Sequence, residues 1–169
     1  MLRDRSGTAR RSLRPSLGVL RVTSAEVVRQ LVARTRADFV SYFAGSQHAE
    51  RAAELVAWAQ AGDPRLNNCP AEIDAMLPDT EDDGSWAASY ALNAGGIILC
   101  LIELSAGNTA AYEEAVTLYF DTVDFRVQQD LEAAGIKYPT EAQIANHPIM
   151  VSENTWFGAN GGVRDLPDC

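Results

Sequence analysis

The stretch WAASYALNAGGIILCLIELS, Trp86 to Ser105, contains no proline and no charged residue before Glu103. Such a run predicts one continuous α-helix. Ala87, Tyr90, Ala91, Ala94, Ile97, Ile98, Leu101, Ile102 and Ser105 recur at helical spacing, and Ala88, Leu92, Leu99 and Cys100 fill much of the remaining surface. A helix that is apolar nearly all round belongs in the middle of a bundle. Gly95 and Gly96 each cost about 1 kcal/mol against alanine inside a helix, so a close helix crossing or a local kink is expected at that point. The uninterrupted apolar run from Ala94 to Ile102 is about half a membrane span and is closed by Glu103, which points away from a membrane partner.

Just before this helix lies the most acidic segment of the chain. Asp79, Glu81, Asp82 and Asp83 precede Gly84 and Ser85. Backbone N–H groups at a helix start lack intrahelical partners and the macrodipole there is positive, so an Asp or Ser cap with acids nearby is the simple reading. A second reading is a divalent-cation loop. Asp79, Glu81, Asp83 and Gly84 fall on positions 1, 3, 5 and 6 of a calcium loop, but position 12 is Tyr90 rather than the bidentate Glu. A looser oxygen site, with Glu72 and Asp74 as further donors, is what remains of that idea.

Outward from this centre, Thr23-Ser24-Ala25-Glu26 forms a capping-box pattern, and Val27, Val28, Leu31, Val32, Thr35, Phe39, Tyr42 and Phe43 follow at helical spacing up to Gly45. A second helix is expected over 46–61, with Ala49, Ala53, Val56, Ala57 and Gln60 on its inner face, Trp58 in the core and Gly62 as C-cap. Residues 65–78 read as a loop with at most one short helix, Ala71 to Leu77. Beyond the central helix, Ala110 to Ala134 should form another, ending at Gly135. Its inner face is Tyr112, Ala115, Val116, Tyr119, Phe120, Val123, Val127 and Leu131. Thr140 and Gln143 make a capping box for a short helix, and Pro148 suits the first position of a last helix through Phe157. These elements predict an all-α, single-domain bundle of five or six helices around the central helix at about 86–105.

The ends differ from the body. Residues 1–22 hold Arg3, Arg5, Arg10, Arg11, Arg14 and Arg21 against a single acid, Asp4, with no apolar core for a secretory signal. They read as a disordered Arg-rich extension, and a start near Val19 or Val22 would fit. The helical domain then occupies 23–157, and the Gly-rich 158–169 reads as a flexible tail.

The run IDAMLPDTEDDGSWAASYALNA, the helix from Tyr112 and the turn His147-Pro148-Ile149-Met150 with Glu153 together resemble the bacterial family of unknown function typified by YjaG. The likeness covers roughly Glu50 to Phe157. It implies a compact, all-α, cytoplasmic protein with no established activity.

Catalytic constellations are thin. His48 and His147 stand apart from any metal-ligand spacing, and His147 reads as a helix-end contact. Cys69, Cys100 and Cys169 are too scattered for a zinc site or a disulfide framework and suit a reducing cytoplasm. Cys100 reads as a core residue, while Cys69 and Cys169 read as loop thiols open to modification. No nucleotide-binding loop or nucleophile-elbow motif occurs, and no cofactor is indicated.

Charge is the stronger signal. Between Arg65 and Arg126 there are eleven acids and no base. That field repels nucleic acid and attracts basic proteins by electrostatic steering. The favoured expectation is a non-enzymatic interaction module, of the immunity or inhibitor kind, that uses Asp79, Glu81, Asp82 and Asp83 against a basic partner. The alternative is a weak divalent-metal-dependent enzyme or binder using Asp79, Glu81 and Asp83. The sequence leaves the oligomeric state open.

Overall fold

A computed structural model describes residues 24–77 and 85–159. Among these residues the fold is all-α, with seven α-helices, one 3-10 turn and no strand. The helices are α1 Ser24–Phe43, α2 Ala49–Ala61, α3 Pro70–Met76, α4 Trp86–Ser105, α5 Ala110–Ala133, α6 Glu141–Ala145 and α7 Pro148–Ala159. The count exceeds five or six because the connection after α2 does form the short α3. A 3-10 turn at Pro64–Asn68 precedes α3, each with a proline at its start and the first capped by the Asp63 carboxylate accepting from the Arg65 N–H.

α4 spans Trp86–Ser105 as its pattern requires, and it lies against α1 and α5 as the central helix. Ala91, Ala94, Ile97 and Ile98 are fully enclosed. Ala87 and Ser105, at the two ends of the expected stripe, are exposed, because the neighbours cover the middle of the helix and not its tips. α4 is the one described helix long and apolar enough to cross a membrane, and the bundle takes up most of its surface. The two glycines are sites of close approach. A Cβ on Gly95 would overlap the Leu77 side chain after α3, and one on Gly96 would come within 2.7 Å of Leu118 on α5. Gly95 and Gly96 thus bring the short α3 segment and α5 closer to α4 than a side chain would permit, which offsets their poor helix propensity.

α1 buries the expected residues from Val27 to Phe43, with Tyr42 only half covered. The buried hydroxyl of Thr35 donates to the Leu31 carbonyl, so it costs no unmet hydrogen bond. α5 matches its expected face and adds Ala111 and Thr122, while Tyr112 and Leu131 are half-buried at its ends.

α2 corrects the expectation. It buries Ala52, Leu55, Val56 and Ala59, whereas Ala53 and Ala57 are exposed. In an alanine-rich helix each alanine offers little area, so the larger Leu55 and Val56 decide which way the helix turns. Trp58 consequently sits half-buried at the edge, flanked by the guanidinium groups of Arg51 and Arg65 at 5.3 Å and 4.4 Å from the ring, and does not enter the core. Gly62 ends α2 in the left-handed conformation, φ 64°, with its N–H on the Ala59 carbonyl.

The last two helices start as their caps dictate. The Thr140–Gln143 capping box is formed on both sides. α7 begins at Pro148, and its Phe157 packs on Phe120 with ring centroids 5.1 Å apart. It continues through Gly158 and Ala159, two residues into the segment read as a tail. The Arg-rich extension 1–22, Thr23 and residues 160–169 lie outside the described residues.

Candidate functional site

Asp79, Glu81, Asp82 and Asp83 lie outside the described residues. The chain enters their segment at Leu77, which packs over Gly95, and leaves it at Ser85. Ser85 caps α4, its hydroxyl accepting from the Ala88 N–H at 3.2 Å. The two further acids considered as metal donors divide. Glu72 turns toward α2 and pairs with Arg51 at 2.9 Å, while Asp74 is exposed. Among the described residues, no group of three or more His, Cys, Asp or Glu side chains converges as a metal site.

The remaining acids of the base-free zone are placed on α3, α4 and α5. Asp74, Glu103, Glu113, Glu114 and Asp121 are all exposed, and none forms an ion pair with a described residue. Among the described residues, the Glu103 carboxylate accepts from the Asn108 side-chain amide at 3.4 Å. The described arginines elsewhere are largely matched locally: Arg29 to Glu26, Arg51 to Glu54 and Arg65 to Asp63. Exposed carboxylates with no ion pair to a described residue are therefore carried on α3, α4 and α5. Nearby, burial pushes the Cys100 thiol up to about 12, and the charges of Glu114 and Glu103 add to the effect. Cys100 is an inert core thiol.

A second polar feature lies where α1, α4, α5 and α7 diverge. The Glu153 carboxylate of α7 accepts from Arg34 Nη2 at 2.6 Å and from the Tyr119 hydroxyl at 2.7 Å. Arg34 also lies over the Trp156 ring, 4.6 Å from its centroid. The Glu153 side chain is only 12% exposed, so both contacts are needed to offset its desolvation. Burial, and then the adjacent Glu153 charge, raise the Tyr119 hydroxyl far above the usual phenol range. Beside this knot is a cleft of about 150 Å³ lined by Asp38, Tyr90, Arg126, Val123 and Ile149 as well. Burial raises the Tyr90 pKa, and the nearby Arg126 charge opposes the shift. Sequence reasoning missed Arg34, Asp38, Tyr90, Tyr119 and Arg126 as a group. The available signal was slight: Arg34 and Asp38 stand four apart on α1, on either side of the buried Thr35.

His48, His147 and Cys69 each make local contacts. His147 Nδ1 accepts from the Ile149 N–H at 3.2 Å at the start of α7, which is the helix-end contact its position suggests. His48 packs edge-on to Phe43 before α2. Cys69 corrects the reading as an open loop thiol: it is 8% exposed, donates to the Leu66 carbonyl at 3.4 Å, and burial raises its pKa. Cys169 lies outside the described residues.

With this geometry in hand, the chain matches no family model, no curated protein and no solved structure.

Proposed function

We propose that this protein is a non-enzymatic interaction module of the cytoplasm that docks a basic protein partner, in the manner of an immunity protein or inhibitor. The observation that carries the reading is the exposed charge on Asp74, Glu103, Glu113, Glu114 and Asp121, beside a segment that adds Asp79, Glu81, Asp82 and Asp83. Exposed carboxylates without internal partners project a field that speeds encounter with a positive surface and disfavours acidic competitors. The likeness to the bacterial YjaG-like family over roughly 50–157 is part of the same reading and brings no activity of its own.

The alternative, a weak divalent-metal enzyme or binder, rests on Asp79, Glu81 and Asp83 alone. Titration calorimetry of the whole protein with calcium, magnesium and manganese separates the two. The docking reading predicts no saturable heat; a stoichiometric heat that disappears when Asp79, Glu81, Asp82 and Asp83 become Asn, Gln, Asn and Asn would replace it with the metal reading. A toxin gene next to the coding gene would point to the partner.

A further inference from the structure

The cleft beneath α7 has charges that do not cancel by contact. Arg34 and Glu153 satisfy one another at 2.6 Å. Arg126 and Asp38 do not: each lines the same cleft, and neither forms an ion pair with any described residue. Tyr90 lines the cleft with them. Val123 and Ile149 supply apolar wall.

Each class of small ligand meets this arrangement differently. A simple anion attracted by Arg126 would also face Asp38 and Glu153, and a simple cation attracted by Asp38 would face Arg34 and Arg126. A molecule bearing both charges satisfies both ends, and a guanidinium is suited to grip a carboxylate through two parallel hydrogen bonds. Size narrows the choice further. A volume of about 150 Å³ holds roughly five waters, which suits a molecule of few heavy atoms.

We propose that the α1–α4–α5–α7 cleft binds a small zwitterion of the free amino acid class, with its carboxylate on Arg126, its ammonium on Asp38 and its side chain against Val123 and Ile149. This site is separate from the acidic surface and stands or falls without it. Glu153, already engaged by Arg34 and Tyr119, sets the far wall.

The test is titration calorimetry of the full chain with L-alanine, L-serine and L-valine, beside propionate and propylamine as single-charge controls. The proposal expects saturable binding of at least one amino acid with a Kd of about 1 mM or tighter, and at least tenfold weaker binding of both controls. Asp38→Asn and Arg126→Gln should each weaken the amino acid at least tenfold while keeping the parent's helical circular dichroism. No saturable heat with any of the three amino acids would overturn it. So would propionate binding as well as its zwitterionic counterpart, or affinities unchanged in both variants. Should either variant unfold, the comparison of zwitterion with propionate and propylamine on the parent still decides the matter.

Discussion

Two neighbours of α5, α4 and α7, are held to it by different chemistry. Toward α4 the contact is largely apolar and close, so that a Cβ on Gly96 would come within 2.7 Å of the end of the Leu118 side chain. Toward α7 it is mixed, with Phe157 against Phe120 on one side and the Tyr119–Glu153–Arg34 knot on the other. The apolar contact draws its strength from area removed from water and tolerates no charge. The mixed contact depends on three groups being present together, because any one of them removed leaves another unsatisfied. The centre of the bundle is thus specified by volume, and its α7 side by pairing.

The largest effect comes from placing a charge in the apolar region. Leu101 is 2% exposed on α4, so Leu101→Asp should abolish native folding: an unpaired buried carboxylate costs several kcal/mol against a total stability of about 5 to 15 kcal/mol. Circular dichroism and urea unfolding read this directly, and a sharp native-like transition would contradict the placement of α4.

On the mixed side, Arg34→Met should cost about 1 to 3 kcal/mol, since Glu153 keeps only its Tyr119 contact. Hydrogen exchange should speed up in α7 before it does so in α4, because the loss falls on what seats α7. Equal acceleration across the bundle would mean that the two regions are not separate.

The glycines sharpen the same contrast within α4. Gly95→Ala should destabilise by about 1 to 3 kcal/mol, since the added methyl overlaps Leu77 and the whole side chain must shift. Gly96→Ala should stay within about 1 kcal/mol of the parent, because it meets only the end of the half-buried Leu118 and gains helix propensity.

The same division explains what could be read from the sequence. Apolar period is a local property, so the inner faces of α1, α4 and α5 were legible except toward the helix ends, where Ala87 and Ser105 are exposed. α2 was misjudged because Ala53 and Ala57 look apolar yet bury too little area to orient a helix, whereas Leu55 does. The 3-10 turn at Pro64–Asn68 was missed because its order comes from Pro64 and the Asp63 cap and not from any hydrophobic pattern. The cleft was invisible for a different reason. Arg34 and Glu153 lie 119 residues apart, and nothing local to either announces the other. The acidic zone, by contrast, was legible as charge, and the structure adds that Glu103, Glu113, Glu114 and Asp121 form no ion pair with a described residue.

A smaller effect follows from the buried thiol. The folded protein holds Cys100 up at about 12 against an ordinary 9.0, so the unfolded chain loses this proton first as pH rises. The stability it contributes is fully present below pH 9 and is lost as pH climbs toward 12. The raised Tyr90, Tyr112 and Tyr119 hydroxyls act in the same direction. Urea midpoints should therefore fall between pH 9 and pH 11. A flat or rising midpoint would contradict the burial of these groups.

The acidic surface is tested most directly by the association rate of a partner isolated by capture on the intact protein. The parent is compared with the variant in which Asp79, Glu81, Asp82 and Asp83 become Asn, Gln, Asn and Asn, across a series of salt concentrations. Docking through exposed carboxylates predicts that the variant associates at least several-fold more slowly at low salt and that its rate depends less steeply on salt. Equal rates at every salt concentration would contradict it.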